Sequence, residues 1–359
     1  MDGILRIGGL PLVRLRGLDT PERGPAFVEA TVLPGRGMML LQARLRLTSG
    51  DVVDAIFAPG PEAAARELDG GPDDVSGNKA FSFGGAILAP YANRIRGREV
   101  EGAREIETDI AGHTVRLPRN WGGKAQGAEQ YAMHGLILDA TVPWRQDAPD
   151  RVSGHLEAGD FGGRWPGRAA LDFEWRLEAG ALALRVTAHS LGDTPLPMGI
   201  GWHPYFALPS GDRRQARLWA PARSRVLVNN YDEVLPTGAV EPVAGSAYDF
   251  AAPGGRALGE TYLDDCFTEL VRANGLAVAE IRDPASDLGL TIASASPQVR
   301  AMQVYAPPDK AFVVVEPQFN LADPYGAEWR GRDAGMASVP AGGSIAYDAR
   351  VTAFALGNR

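Results

Sequence analysis

The chain has 359 residues, 45% hydrophobic and 22% charged, which is typical of a globular protein large enough to bury a substantial core. The formal net charge of −8 argues against nucleic acid or a membrane surface as the main partner, and no apolar run is long enough to span a membrane. The single cysteine, Cys266, excludes an internal disulfide, and charged residues interrupt every apolar run near the N-terminus. We therefore expect a cytoplasmic protein.

The first part of the chain has no regular pattern. Residues 1–26 are predicted to form a loosely specified arm, because glycines and prolines close each short apolar run. We expect this arm to add an edge strand or to stay disordered. No linker, charge block or fixed-period repeat interrupts residues 27–359, so this part is predicted to be a single domain.

Apolar residues that alternate with polar ones predict many short strands. The clearest hairpin joins residues 171–177 to residues 182–186 through a turn that ends in Gly180. Only residues 61–68, which begin with proline and are rich in alanine, favour a helix. The other predicted strands are 27–33, 40–47, 51–57, 216–220, 224–230, 267–272, 276–283, 288–294, 299–306, 311–318 and 344–356. Together they predict an all-β protein with few short helices, built as a large antiparallel β-sandwich.

Residues 197–206, PMGIGWHPYF, are the most specialised stretch of the chain, because they combine aromatic rings, glycines and prolines around a single histidine. His203 is a candidate for acid or base catalysis, although a histidine between aromatic neighbours also serves as a hydrogen-bonded core residue. Residues 312–318, FVVVEPQ, are a buried strand that ends in Glu316 before a proline. A glutamate there has either a salt-bridge partner or a catalytic role.

Further stretches place polar side chains next to apolar ones. In PYANRIRG, Asn93 and Arg94 offer an amide and a planar guanidinium to an oxygen-rich ligand, or belong to a solvated loop. His134 precedes a glycine that allows a ligand or a backbone segment to approach closely. Asp264 and Asp265 are adjacent in YLDDCF, so in a strand only one of them faces a pocket. Gln303 lies in the strand before Glu316 and reaches the same region if the two strands are neighbours, or it occupies an ordinary exposed position of the sheet.

These residues comprise a carboxylate, two imidazoles and several hydrogen-bond donors. The sequence has no histidine pair at i, i+4, no second cysteine, no GxSxG elbow, no P-loop and no dinucleotide fingerprint, so neither a metal nor a cofactor is predicted. The set suits proton transfer on a polyhydroxylated substrate. Trp202, Tyr205 and Tyr91 suit the C–H faces of a sugar ring.

Five motifs of the chain resemble the aldose 1-epimerase (galactose mutarotase) family, and they occur in the family's order. They are YANRI at 91–95, HG at 134–135, the G-x-x-HPYF region at 199–206, DDCF at 264–267 and VYAPPDKAFVVVEPQ at 304–318. The resemblance implies a β-supersandwich and a cofactor-free interconversion of the α and β anomers of a free monosaccharide. It does not indicate which aldose is used, or whether the chain is a monomer or a homodimer.

The resemblance also implies roles for individual residues. Glu316 matches the general base that takes the proton of the C1 hydroxyl, and His203 matches the acid that protonates the ring oxygen O5. We expect the two to face each other across the anomeric centre, with burial raising the pKa of Glu316 and the carboxylate keeping His203 protonated. The residues that match substrate-positioning roles are His134, Arg94, Asn93, Asp264 and Gln303. Asp264 is preferred to Asp265 on its spacing from the Cys-Phe pair.

Two alternative functions remain open on the sequence. A hexose-6-phosphate 1-epimerase on the same fold requires extra cations for a phosphate, and Arg96, Arg98 and Arg119 are candidates. A sugar-binding or sensor protein without catalytic activity would keep the pocket and bind sugar, but would not accelerate the change of optical rotation.

Overall fold

The computed structural model describes residues 5–17, 24–69 and 71–357. Residues 1–4 and 18–23 of the predicted arm therefore lie outside the described residues. The first fifteen strands are β1 (Arg6–Ile7), β2 (Leu10–Pro11), β3 (Val13–Arg16), β4 (Ala26–Leu33), β5 (Met39–Arg46), β6 (Val52–Asp54), β7 (Gly85–Leu88), β8 (Arg94–Ile95), β9 (Arg98–Glu99), β10 (Glu105–Ile110), β11 (His113–Pro118), β12 (Trp121–Gly122), β13 (Gln130–Met133), β14 (Trp144–Ala148) and β15 (Arg151–Gly159).

The other strands are β16 (Ala169–Glu178), β17 (Ala181–Ser190), β18 (Leu196–Met198), β19 (Gly201–Ala207), β20 (Arg217–Trp219), β21 (Ala222–Val228), β22 (Pro236–Pro242), β23 (Arg256–Ala257), β24 (Leu263–Leu270), β25 (Ala277–Asp283), β26 (Leu288–Ser294), β27 (Ala301–Ala306), β28 (Phe312–Gln318), β29 (Ala337–Val339) and β30 (Ser344–Ala355).

Helix α1 (Pro61–Leu68) lies where the sequence predicts it. Pro61 occupies the first turn, and Ala64 and Leu68 are the residues that the helix buries. The 3-10 helices are Pro34–Arg36, Val75–Phe81, Pro284–Ser286 and Ala327–Trp329. Within the described part of the chain, none of the helices has the length and apolar character needed to cross a membrane.

Two large antiparallel sheets form the body of the molecule. The nine-stranded sheet has the order β14-β15-β16-β17-β30-β26-β25-β20-β23. The eleven-stranded sheet has the order β22-β21-β24-β27-β28-β19-β7-β5-β4-β3, with β6 paired to β5. Strands β4 and β28 of the second sheet contact β16, β17, β25, β26 and β30 of the first, and one hydrophobic core fills the space between the sheets. The prediction of a large antiparallel β-sandwich is confirmed.

Alternating strands were the easiest to predict. The predicted hairpin is β16 and β17, in which Phe173 pairs with Val186 in regular register and inward side chains alternate with outward ones. Strands β7 and β19 were not predicted, because almost all of their residues are buried and they show no alternation. One edge of the eleven-stranded sheet is β3, which pairs with β4.

The central strand β19 carries a proline that the fold accommodates. Its pairing with β28 links Gly201 to Gln318 and Tyr205 to Val314 but is interrupted between these pairs. Pro204 lacks an amide hydrogen and lies in this interruption, so the ladder loses no bond to β28 there. Since the register is the same on both sides of the gap, His203 lies opposite Glu316.

Candidate active site

The sheet register brings three of the predicted site residues together. His203 on β19 lies opposite Glu316 on β28, and Glu316 pairs in turn with Gln303 on β27. Residues that are opposite each other on neighbouring antiparallel strands point to the same face of the sheet. A histidine, a carboxyl and an amide from distant parts of the chain therefore form one row.

His203 and Glu316 are in direct contact. The His203 Nε2 atom is 3.3 Å from the Glu316 Oε1 atom, and the two side chains are only 6% and 2% exposed. Burial raises the pKa of Glu316 well above its usual range, the Asp264 carboxylate adds to this, and Arg94 opposes it. Burial also lowers the pKa of His203 to about 3, with the positive charge of Arg94 contributing. The expectation of a protonated His203 is therefore not met, because both shifts favour the neutral forms of the two side chains.

The arrangement also differs from the predicted geometry. The two groups lie side by side and not on opposite sides of a gap. The hydroxyl oxygen on C1 and the ring oxygen O5 are bonded to the same carbon, so two adjacent groups can reach both oxygens. The contact therefore remains compatible with acid–base chemistry at an anomeric carbon.

His134 completes a buried cluster of polar atoms without partners. Its ring centroid is 4.7 Å from that of His203, and burial lowers its pKa well below the usual range. Among the described residues, neither ring nitrogen of His134 has a hydrogen-bond partner, and the same holds for His203 Nδ1 and Glu316 Oε2. Buried polar atoms without partners cost stability, and the hydroxyl groups of a bound ligand would satisfy them.

The same three side chains could also hold a metal ion. Ligand atoms of His134, His203 and Glu316 lie within 4.8 Å of one another. The sequence spacing did not reveal this set, because the three residues come from separate segments that only the fold joins. The role we propose for them below requires no metal.

A closed ring of hydrogen bonds lies beside His203 and Glu316. Asn93 Nδ2 donates to Gln303 Oε1 at 3.0 Å, and Gln303 Nε2 donates to Asp264 Oδ1 at 2.6 Å. Arg94 closes the ring, because its guanidinium is 3.3 Å from Asp264 Oδ2 and donates to Asn93 Oδ1 at 3.0 Å. Although burial lowers the pKa of Arg94, Asp264 and Tyr131 outweigh burial and raise it, so the guanidinium stays charged.

Three of the four residues in this hydrogen-bonded ring face the cavity, and one does not. Arg94, Asp264 and Gln303 line the cavity that contains His203 and Glu316. Asn93, a predicted substrate-binding residue, is not among the lining residues and is 1% exposed. It lies behind Arg94 and Gln303 and positions them.

The structure distinguishes the two adjacent aspartates of β24. Asp264 lines the cavity, as its spacing predicted. Asp265 points away and is fully buried, where Arg225 Nη1 lies 2.6 Å from its Oδ1 atom. Tyr231 also donates a hydrogen bond to this carboxylate at 3.1 Å. Asp265 therefore has a structural role and does not face the cavity.

Only one of the three aromatic residues expected to contact a sugar faces the cavity. Tyr205 lines it through its ring, since its hydroxyl donates to the Phe81 carbonyl at 2.9 Å. Trp202 lies in the core, edge-on to Trp175 at 5.5 Å between ring centroids. Tyr91 is fully buried and lies outside the lining. The expectation is wrong for Trp202 and Tyr91, because they belong to the sandwich core.

The sequence analysis missed several residues of the site. Phe57, Phe81, Trp121, Tyr262, Tyr305 and Phe312 line the cavity, which has a volume of about 540 Å³. A sequence pattern could have indicated them, because they are aromatic residues at strand ends and in loops, where side chains are not expected to belong to the core. Asp323 was also missed, although its amide donates to the Arg94 carbonyl at 2.6 Å and helps to hold that residue.

The arginines considered for a sugar phosphate point elsewhere. Arg96 forms a two-point contact with Glu129, at 2.8 Å and 2.6 Å. Arg98 pairs with Glu107 and Arg119 with Glu99. None of the three arginines lines the cavity of His203 and Glu316. The sugar-phosphate alternative therefore gains no cation from them inside this cavity, although Arg119 lines the cavity that adjoins it at Trp121.

Gly135 fixes the position of the neighbouring His134, which gives a testable prediction. Its φ of +88° and the 2.3 Å separation between an added Cβ and the Ala89 carbonyl oxygen exclude a side chain. We expect Gly135→Ala to lower the free energy of unfolding by about 2 kcal/mol or more, measured by urea denaturation. Gly50→Ala is the control, since Gly50 has a φ of +94° but no atom within 4 Å of an added Cβ. Equal losses in the two variants would contradict this explanation.

Comparison with known proteins supports the fold. The chain is similar to a crystal structure of a putative aldose 1-epimerase from Escherichia coli K12, with 17% identity, 96% of this chain and 100% of the other covered, and a TM-score of 0.67. An aldose epimerase homologue from C. elegans is 19% identical, with coverages of 96% and 99% and a TM-score of 0.70. A galactose mutarotase-like protein from Clostridium acetobutylicum is 16% identical, with coverages of 92% and 93% and a TM-score of 0.71.

These structural similarities show a shared fold. No curated protein sequence matches the chain significantly. The family model described as aldose 1-epimerase, however, matches residues 52–332, which is most of the chain and includes every residue of the site described above. The resemblance that the five motifs predict is thereby confirmed, and the chain belongs to the aldose 1-epimerase family.

Proposed function

We propose that the protein interconverts the α and β anomers of a free aldose by acid–base catalysis, with Glu316 as the base and His203 as the acid. The observation that carries the proposal is the buried His203–Glu316 contact of 3.3 Å on the wall of a cavity open to a ligand. Family membership supports the reaction class. The intact acid–base pair argues against a binding protein without activity.

The reaction begins with a cyclic sugar whose C1 hydroxyl contacts Glu316 and whose ring oxygen O5 contacts His203. The proton of the pair first moves from Glu316 to His203 across their contact, so that Glu316 becomes a carboxylate and His203 an imidazolium. Glu316 then takes the proton of the C1 hydroxyl while His203 protonates O5. The C1–O5 bond breaks, and C1 becomes the carbonyl carbon of the open-chain aldehyde.

Burial favours this ring-opening step. The low-dielectric site disfavours charge on both groups, so it makes the Glu316 carboxylate a strong base and the His203 imidazolium a strong acid. Ring opening returns the pair to its neutral form. Rotation about the C1–C2 bond then presents the other face of the aldehyde, and the two protons move back as the ring closes to the other anomer.

The polar residues around the pair position the sugar. Arg94 remains charged in the buried site and offers donors to the sugar oxygens, while Asp264 and Gln303 offer acceptors and donors from the neighbouring strands. His134 lines the same cavity, and because its ring nitrogens have no partner among the described residues, we assign them to a sugar hydroxyl.

Polarimetry tests the proposal directly. Freshly dissolved α-D-galactose and α-D-glucose change rotation spontaneously, and the protein should accelerate this change in proportion to its concentration. Glucose 6-phosphate, compared in the same assay, tests the phosphate alternative. A protein that binds an aldose in a thermal-shift assay without accelerating mutarotation would contradict the proposal and support a sensor.

The pH dependence of kcat/KM should reflect the single proton of the pair. Below about pH 3 His203 takes up a second proton and no base remains. Above the raised pKa of Glu316 the pair loses its only proton and no acid remains. Between these limits we expect a constant kcat/KM. An inflection near the ordinary histidine pKa of about 6.5 would contradict the proposed protonation state.

A further inference from the structure

The cavity is larger than the proposed reaction needs. Its volume of about 540 Å³ is in the range of ~300–1,000 Å³ that holds a drug-sized ligand. The polar groups that act on one aldose ring occupy only part of the lining, at and next to His203, Glu316 and Gln303. Much of the remaining lining is aromatic. The additional space is therefore mainly apolar, unlike the part of the cavity next to His203 and Glu316.

A chain of aromatic rings, which we call the aromatic collar, forms one side of this space. The collar consists of Phe57, Phe312, Tyr305, Tyr262 and Tyr231. In that order, successive ring centroids are 5.1, 5.9, 6.3 and 5.1 Å apart. All five rings line the cavity. The collar thus presents a nearly continuous aromatic surface to a ligand.

Trp121 also lines the cavity, and it packs edge-on against Phe81 at 5.2 Å between ring centroids. Trp121 is 37% exposed, and two collar residues, Phe57 and Tyr231, are 45% and 39% exposed. Exposed aromatic side chains that gather at one opening are typical of a binding surface. Their apolar faces suit the C–H face of a pyranose ring.

A second cavity adjoins the first at Trp121. Its volume is about 480 Å³, and it shares Trp121, Gly122 and Lys124 with the lining of the first cavity. Arg104, Arg119 and Asn120 are among its other lining residues. A ligand longer than one ring could therefore extend from the first cavity across Trp121.

We propose that the aldose on which the protein acts is the reducing end of a disaccharide or longer oligosaccharide. The inference rests on the proposed function and specifies its substrate. Ring opening requires only the C1 hydroxyl and O5 of the reducing-end ring, so a hydroxyl on the far side of that ring is free to carry a glycosidic bond. The reducing-end ring binds beside His203 and Glu316, and the next ring stacks between the aromatic collar and Trp121.

Binding and catalysis test this inference separately. Lactose, maltose and cellobiose are compared with glucose by calorimetry, and we expect at least one of them to bind about tenfold more tightly, which one stacked ring supplies. Polarimetry on the same sugars should give that disaccharide the higher kcat/KM. Trp121→Ala should lower the disaccharide-to-glucose ratio, in both affinity and kcat/KM, by about tenfold.

Tyr325→Ala is the matched control, because Tyr325 is also 37% exposed but lies outside the lining of either cavity. It should leave the disaccharide-to-glucose ratio unchanged. Equal ratios in the two variants, or glucose binding as tightly as every disaccharide, would overturn the inference. A preference for glucose 6-phosphate over all three disaccharides would overturn it as well, and would assign the outer space to a phosphate near Lys124 and Lys310. Tight disaccharide binding without accelerated mutarotation would contradict the proposed function but support the second sugar site.

Discussion

Glu316→Gln should lower kcat for mutarotation by at least about 10²–10⁴-fold, because the amide cannot accept the proton of the C1 hydroxyl. The substitution should change sugar affinity by less than about tenfold. Glutamine has the shape of the protonated Glu316 that burial favours, and its amide can donate to the nearby His203 Nε2. Polarimetry measures the rate, and calorimetry with the same sugar measures the affinity.

Glu157→Gln is the control for this experiment. Glu157 is an exposed residue of β15 in the nine-stranded sheet and does not line the cavity, so its substitution should leave both quantities unchanged. If Glu316→Gln keeps the rate of the unmodified protein, the base lies elsewhere. If it loses sugar affinity together with the rate, Glu316 mainly binds the substrate.

The features that the sequence predicted best are those that depend only on residues close together in the chain. The hairpin of β16 and β17 follows from alternation, and helix α1 follows from a proline before alanines. Glu316 stood out because a buried apolar strand that ends in a carboxylate before a proline is unusual. The choice of Asp264 over Asp265 depended only on the alternation of side chains along a strand and on spacing within one motif.

The remaining features of the site depend on which strands are neighbours, and no single segment contains that information. Strand β19 separates β28 from β7 in the sheet, although their residues are far apart in the chain. Only this order places His203 beside Glu316. The neutral form of the pair was not predicted, since the sequence does not show how completely two ionisable groups are buried together.

The aromatic residues show that closeness to a motif in the sequence does not predict a position in the cavity. Trp202 lies next to His203 in the chain but points into the core, because neighbours in a strand face opposite sides of the sheet. Phe57 and Tyr231 lie far from the motifs in sequence and still line the cavity. A prediction of sugar contacts from sequence proximity therefore selected a core residue and missed the cavity wall.

His203→Asn should lower kcat/KM for mutarotation by about 10²-fold or more, because no group at that position can then protonate O5. The smaller side chain also leaves space beside His134 and Tyr205, whose ring centroids are 4.7 Å and 5.1 Å from that of His203. Thermal unfolding must therefore show that the variant is folded at the assay temperature. His113→Asn, at an exposed position of β11, is the control and should keep the full rate. A negligible loss in His203→Asn would make His203 a structural residue.

The double variant Glu316→Gln/His203→Asn distinguishes a coupled pair from two independent groups. If one proton moves between the two side chains, removing either side chain stops the transfer, and the second substitution has little left to remove. The rate of the double variant should then be close to that of the slower single variant. Losses that multiply would mean that the two groups act independently. In that case the 3.3 Å contact between His203 and Glu316 would be a consequence of packing and would have no part in the proton transfer.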